Sequence, residues 1–430
     1  MLQIESDKRL FTKNNQPIFY LADTCWSAFT NITENDWNYY LDYRKSQGFN
    51  VLQINMLQQW DASQTELGIK PFAIKDDGTF DFYHYNEDYF NRAYRMIKQA
   101  YNKGLTVALV LLWANYIPDT WASRMPIKQL GTFPKELVLP YVDKVMRLYD
   151  EFHPIYVISG DTDFPNETVV TDYYLRALNR VKENNPNALT TFHIRGRESD
   201  LPKVLKESSH LDFYMFQSGH NNKFQEMTYQ LAETFYEMEP RRPLLNSEPC
   251  YEMMGYSRRV YGRFSREDVR KAAWQSVLSG ASSGVTYGAH GIWSWHESCL
   301  EFDSNIGEAF ETPYDWRDAL HFKGAWDYAF LKTFIESHQL FDLVPKQDIL
   351  VNHSPEIRVA ENDSYLLIYV PSNIRLKLSG DWSCSEIKYL DLEDKLEEAV
   401  TAVYSSETGQ TMVNMHRFTK DALLIINKEK

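Results

Sequence analysis

Eight short apolar runs, each followed by a longer stretch with helical spacing, fill the chain from residue 17 to residue 337. The runs are PIFYLAD (17–23), FNVLQIN (49–55), LTVALVLLW (105–113), IYVISGD (155–161), ALTTFHIRG (188–196), LDFYMFQSGH (211–220), RPLLNSEP (242–249) and SGVTYGAHGIW (283–293). Helices are expected at 33–48, 87–103, 134–152, 168–184, near 200–208, 224–238, 266–280 and 316–337. Several carry their own boundary signals: Thr33 as an N-cap, Gly48 and Gly104 as stops, Pro134 near a start. Parallel strands need crossover connections, and a right-handed crossover repeated eight times can close the sheet into a barrel. An open doubly wound sheet is the alternative. No GxGxxG follows the first run, so its dinucleotide-binding form is unsupported.

Past about residue 340 the helices stop. DILVN, EIRVAEN, SYLLIYVP, IRLKLSG, EIKYLDL and ALLIIN are short runs separated by Asn, Asp, Gly and Pro, the pattern of a small β-sandwich. The expected architecture is α/β: a (β/α)8 TIM barrel over residues 1–340, then a C-terminal β-sandwich domain over 341–430, with the boundary near Leu340–Pro345.

Net charge limits the partners. A formal charge of −14 disfavours nucleic acid and anionic membranes, which need basic surface. No apolar run is long enough to span a bilayer. The N-terminal residues lack the apolar core of a signal peptide, and the four cysteines form no CxxC pair, so a reducing cytoplasm is expected. Aromatics at 15% fit either a large core or a site that stacks flat sugar faces.

Barrel chemistry sits where strands end at their C-terminal side. The eight exits supply Asp23 and Trp26; Asn55, Gln58, Gln59 and Trp60; Trp113 and Asn115; Asp161 and Asp163; His193 and Arg195; Gln217 and His220; Glu248, Tyr251 and Glu252; Tyr287, His290 and Trp293. Carboxylates, amides, imidazoles and indoles together suit the gripping of hydroxyls. Each has a plainer reading: Asp23 as a cap or supporting partner, Asp163 and Glu252 as salt-bridge acids, the histidines as structural. Asp161 and Glu248 differ, because each ends an apolar strand on opposite sides of the expected barrel mouth. Two carboxyls across one pocket, one protonated and one ionised, are the minimum for glycosidic hydrolysis.

The chain resembles the apiosidase-like glycoside hydrolases together with their companion C-terminal β-domain, which carries a collagen-binding label. The resemblance rests on LADTCWSAFTNIT (21–33), RKSQGFNVLQIN (44–55), ISGDTDF (158–164), FQSGH (216–220), SEPCYE (247–252), DVRKAAWQSVLSGASSGVTYGAHGIW (268–293) and SYLLIYVPS (364–372). It implies that Asp161 and Glu248 are the catalytic pair and that the substrate is furanoside-like or a small oligosaccharide. Two departures bear on the substrate: SGD where the family commonly has GGD, and NMLQQWD where it often has a Glu after the second strand. The collagen label does not imply collagen binding here.

The expected mechanism is retaining, with Asp161 as acid/base and Glu248 as nucleophile; retention needs carboxyls about 5–5.5 Å apart. Tyr251, His220 and Arg195 are expected to keep Glu248 ionised. Asp23, Trp26, Gln58, Trp113, Asn115, His193, Gln217, His220, Tyr251, Tyr287, His290 and Trp293 are the expected substrate-binding set. No metal or cofactor is expected: strand one ends without a His pair, and no lysine ends a strand. A carbohydrate-binding barrel without catalysis and a polysaccharide lyase are the rivals.

Overall fold

The apolar run at 105–113 forms the longest strand of the barrel, Thr106–Trp113, and every residue after Thr106 is buried. A strand covered on both faces by parallel neighbours and helices reads as a continuous hydrophobic run rather than an alternating one. The computed structural model describes residues 1–5, 9–125, 129–258, 260–302, 310–352 and 354–428. Its barrel strands are β1 (Tyr20–Thr24), β2 (Val51–Asn55), β3 (Thr106–Trp113), β4 (Ile155–Gly160), β5 (Thr190–Thr191), β6 (Tyr214–Phe216), β7 (Leu244–Asn246) and β8 (Gly284–Tyr287). All neighbours pair in parallel, in the order β5-β4-β3-β2-β1-β8-β7-β6. The ladder is interrupted only between β5 and β6. There Asp212 N donates to Thr190 O at 3.1 Å, Thr190 N to Asp212 Oδ2 at 2.7 Å and Thr191 Oγ1 to Phe213 O at 2.8 Å, so scattered main-chain and side-chain bonds close the cylinder instead of a ladder register.

The helical expectations hold in position. Glu34–Ser46 is capped by the Thr33 side chain, and Arg266–Leu278 opens on a capping box between Ser265 and Asp268. The expected helix at 316–337 divides into Trp316–Ala319 and Gly324–Ser337. Glu252 causes the division: its Oε2 accepts from Gly324 N at 2.8 Å, and a Cβ at residue 324 would lie 2.3 Å from that oxygen. Periodicity does not reveal a break imposed by a distant side chain. The eighth-strand expectation was too long, and the fifth shrinks from 188–196 to two ladder residues with one bridge, Thr162↔Ile194. Several elements have no counterpart among the expected ones: a three-stranded sheet of Leu2–Glu5, Leu10–Lys13 and Gln16–Ile18, a hairpin of Phe72–Ile74 with Phe80–Tyr85, and the C-terminal strands Glu397–Ala399, Ala402–Ser405 and Gln410–Val413.

The C-terminal region holds a six-stranded antiparallel sheet, in which Tyr365–Val370 pairs with Ala422–Asn427, and a three-stranded sheet of Leu376–Ser379, Gln410–Val413 and Ala402–Ser405. Strand alternation divides the labour. Leu366, Ile368, Leu424 and Ile426 face the second sheet with Leu376, Leu378 and Val413. Leu367, Tyr369, Leu423 and Ile425 face the other way and join the barrel core. Both faces are therefore buried, which explains the unbroken LLIYV and ALLII runs.

A charge cluster lies at the same junction. Asp327 binds Arg266 at 2.7 Å, Arg270 at 3.0 Å and Lys395 at 2.9 Å. Asp421 takes Arg270 Nε at 3.0 Å and the Tyr369 hydroxyl at 3.0 Å. Arg270 and Asp327 are each only 1% exposed. Among the described residues no helix is long and apolar enough to cross a membrane.

Candidate active site

A cavity of about 290 Å3 opens where the barrel strands end. Asp161 and Glu248, expected to meet from β4 and β7, both line it, as do Trp26, Trp113, Gln217, His220, Tyr251 and Trp293. Four indoles and phenols, two carboxyls, an amide and an imidazole give a wall that is flat and apolar in parts and hydrogen-bonding in others, the combination a sugar ring needs.

Glu248 follows β7 by two residues and is buried at 6% exposure. His193 Nε2 reaches its Oε2 at 2.7 Å, and His220 Nε2 reaches its Oε1 at 2.9 Å. An ionised carboxylate only accepts, so both imidazoles donate. Burial alone would raise this acid. The hydrogen bonds and charge of the two histidines outweigh it and hold Glu248 at about 2. Tyr251 is turned to the same carboxylate. Its hydroxyl accepts from the Trp26 indole at 3.1 Å, and burial, then the Glu248 charge and hydrogen bond, push the phenol up.

Asp161 follows directly after β4 in the left-handed region, with φ at 48°. That conformation costs a non-glycine residue about 1–2 kcal/mol and persists only where its surroundings hold it. Here the Trp121 indole donates to the Asp161 carbonyl at 2.6 Å, and Trp121 N donates to Asp163 at 2.8 Å. Gly160 just before it is required by packing: a Cβ would sit 2.2 Å from the Trp113 ring. Asp161 is pushed well above the carboxylate range, first by burial and then by the Glu248 charge; Arg195 pulls it down, and Asp61 and Asp163 add smaller repulsions. The two acids are thus driven apart, one toward its protonated form and one toward its ionised form.

Several expected residues do not reach the cavity. Asp23 is fully buried behind the sheet, bound to Arg44 at 2.6 Å and the Tyr40 hydroxyl at 2.7 Å. Gln58 is engaged by Glu66, and Asn115 is buried in the turn Ala114–Tyr116. His193 stands behind Glu248 with its other nitrogen 2.9 Å from Ser247 Oγ. Tyr287 donates to Glu252 at 2.6 Å, beside the Gly324 amide. His290 accepts from the Trp293 indole at 3.2 Å and donates to Glu311 O at 2.6 Å. Burial lowers it to about 3, so it is neutral and steers Trp293. Arg195 does line the cavity but, expected as a donor to Glu248, is instead paired with Asp163 at 3.2 Å and Glu198 at 3.5 Å.

Other cavity residues escaped the sequence reading. Trp121 lies deep in the loop after β3, where no periodicity marks it. Asp61 lies one residue beyond Trp60, where the reading of the second exit stopped. Arg197 and Asn221 lie further along the segments leaving β5 and β6, and Met254, Ser257, Arg258 and Phe310 come from loops more distant from a strand end. Among the described residues no group of three or more His, Cys, Asp or Glu side chains could hold a metal ion.

The sequence model of the apiosidase-like catalytic domain matches residues 5–342. No curated protein matches the chain. Among solved structures, one described as a glycoside hydrolase superposes with a TM-score of 0.80 at 22% identity, covering 99% of this chain and 96% of that one. A glycoside hydrolase family 5 protein from Bacteroides vulgatus ATCC 8482 gives 0.79 at 21% identity, covering 99% and 93%.

Proposed function

From the premise that this chain belongs to the apiosidase-like family of glycoside hydrolases, we propose that it cleaves its substrate by a retaining two-carboxylate mechanism. The observation that carries the reading is the opposed tuning of two acids on one cavity. Glu248 is held at about 2 by two imidazole donors, whereas burial and the Glu248 charge raise Asp161.

In the first half-reaction the Glu248 carboxylate attacks the anomeric carbon as the glycosidic C–O bond breaks. Asp161 gives its proton to the leaving oxygen. A glycosyl ester on Glu248 results. In the second, Asp161, now a carboxylate, takes a proton from water as the water oxygen attacks the anomeric carbon and displaces Glu248. His193 and His220 keep the nucleophile ionised and aimed. Arg195 limits how far the acid is raised. Trp26, Trp113, Gln217, Tyr251 and Trp293 contact the sugar, and a furanoside or small oligosaccharide is the proposed substrate class. The division into a catalytic barrel over 1–340 and a β-domain over 341–430 belongs to the same proposal, supported by the helix ending at Ser337 and the strand beginning at Val344.

A panel of aryl glycosides, furanosides included, tests the reading. Wild type is expected to release aryl alcohol from at least one, and a 2-deoxy-2-fluoro analogue to leave a glycosyl group on the peptide carrying Glu248. Product of inverted configuration would overturn retention. Intact substrate after long incubation, or an unsaturated ultraviolet-absorbing product, would overturn hydrolysis.

A further inference from the structure

The cavity contains a third carboxyl that the two-acid mechanism leaves unused. Asp61 lines the wall from the loop after β2 and is 8% exposed. Its Oδ1 accepts from Gln59 Nε2 at 2.7 Å, and Gln59 Oε1 accepts from Asn55 Nδ2 at 2.9 Å. Asn55 is the last residue of β2, so an amide relay rooted in the barrel fixes the carboxyl's orientation. The loop backbone is pinned as well, because the Tyr116 hydroxyl donates to Gln58 O at 2.7 Å. Among the described residues Asp61 forms no ion pair with a cation. A buried carboxyl without one is expensive unless hydroxyl or amide donors complete it.

Other lining residues supply an independent sign that such donors come from a ligand. Trp113 is 3% exposed and Gln217 6%, both line the cavity, and Trp113 Nε1 and Gln217 Oε1 have no partner among the described residues. An unpaired donor and an unpaired acceptor in the same cavity as a carboxylate without a cation call for a ligand that donates and accepts at several points. Sugar hydroxyls do both, whereas a carboxylate only accepts.

We propose that Asp61 is a specificity-determining residue: it accepts hydrogen bonds from hydroxyls of the sugar ring whose glycosidic bond lies between Asp161 and Glu248, and so selects a ring bearing hydroxyls on that side. Burial and the Glu248 charge lift its carboxyl to about 7 while the Gln59 bond opposes them, and hydroxyl donors from a bound ring would favour its ionised form. The proposal rests on the reading of Asp161 and Glu248 given above.

The test separates binding from turnover. Aryl glycosides and their monodeoxy analogues are titrated by calorimetry into Glu248→Gln, with and without Asp61→Asn. Asp61→Asn is expected to weaken binding of the fully hydroxylated glycoside at least about 10-fold, as for a lost charged hydrogen bond. Binding of one monodeoxy analogue should not change, because it lacks the hydroxyl Asp61 receives. Gln59→Met, which removes the relay and keeps the carboxyl, should weaken the same ligand less and in the same pattern. An equal loss on every analogue, or no loss on any, overturns the proposal. Absence of wild-type turnover would sink the hydrolytic reading while the titration still decides Asp61. A panel with no binder overturns both.

Discussion

Two groups of buried charges lie on opposite sides of the barrel wall, and they are built on opposite rules. At the junction with the C-terminal sheets, Asp327 and Asp421 face Arg266, Arg270 and Lys395, and each carboxylate is met by at least one guanidinium. In the cavity, Asp61, Asp161 and Glu248 all line the wall, and the guanidinium that most lowers Asp161, that of Arg195, is also paired with Asp163 and Glu198. Complete pairing holds Asp327 below the usual carboxylate range despite its burial. Burial, not offset by such pairing, raises Asp161 and Asp61. A neutralised cluster fixes geometry. An unbalanced one stores a proton where a reaction can use it.

The contrast breaks first, and furthest, at Glu248. With Glu248 as the proposed nucleophile, Glu248→Gln is expected to lower kcat/KM about 10⁴-fold or more. The melting temperature should stay near that of wild type, because the amide can still receive one imidazole donor. If turnover persists, the cavity acids are no more chemical than those at the junction.

Asp327→Asn is next. Removing one partner of a buried network typically costs about 3–5 kcal/mol, so urea unfolding should show a loss of that size. Turnover per folded molecule should not change. The sign with pH follows from the lowered carboxyl: its contribution is present above the unfolded value, near 3.9, and disappears as pH falls through the folded one. The variant should therefore lose the acid-side decline associated with this group.

Asp161→Asn should lower turnover of activated aryl glycosides about 10²-fold, the low end for general acids because such leaving groups need little protonation. Wild-type activity should fall as pH rises through the raised Asp161 value, and that limb should vanish in the variant. A carboxyl raised on folding contributes stability that is full below its unfolded value and is lost as pH rises. Asp161→Asn should then melt higher than wild type in alkali. The smallest effect is expected for His290→Gln: a rise in KM of about 3-fold through a less firmly held Trp293, measured by initial rates.

The sequence made the barrel legible because burial on both faces leaves an uninterrupted apolar run, as in Thr106–Trp113, and crossovers leave helical spacing between runs. Asp161 and Glu248 were legible for a related reason, since an acid at the end of such a run stands out. Their surroundings were less so. His193 and His220 both carry the right chemistry for a sugar site, but only the fold turns their Nε2 atoms onto Glu248. Asp23 and Tyr287 end strands as plausibly as the others, yet alternation sends their side chains to Arg44 and Glu252, behind the sheet. Trp121 and Asp61 belong to loops, where position follows from long-range contacts that no local pattern encodes.

The interruption between β5 and β6 lies beside the cavity, and the segments leaving those two strands supply Arg195, Arg197, Gln217 and His220 to it. Because few ladder bonds span that gap, residues can be inserted or exchanged along its edges without shifting the register of the remaining strands. The cavity wall there is free to be rewritten, while the frame carrying Asp161 and Glu248 stays in place.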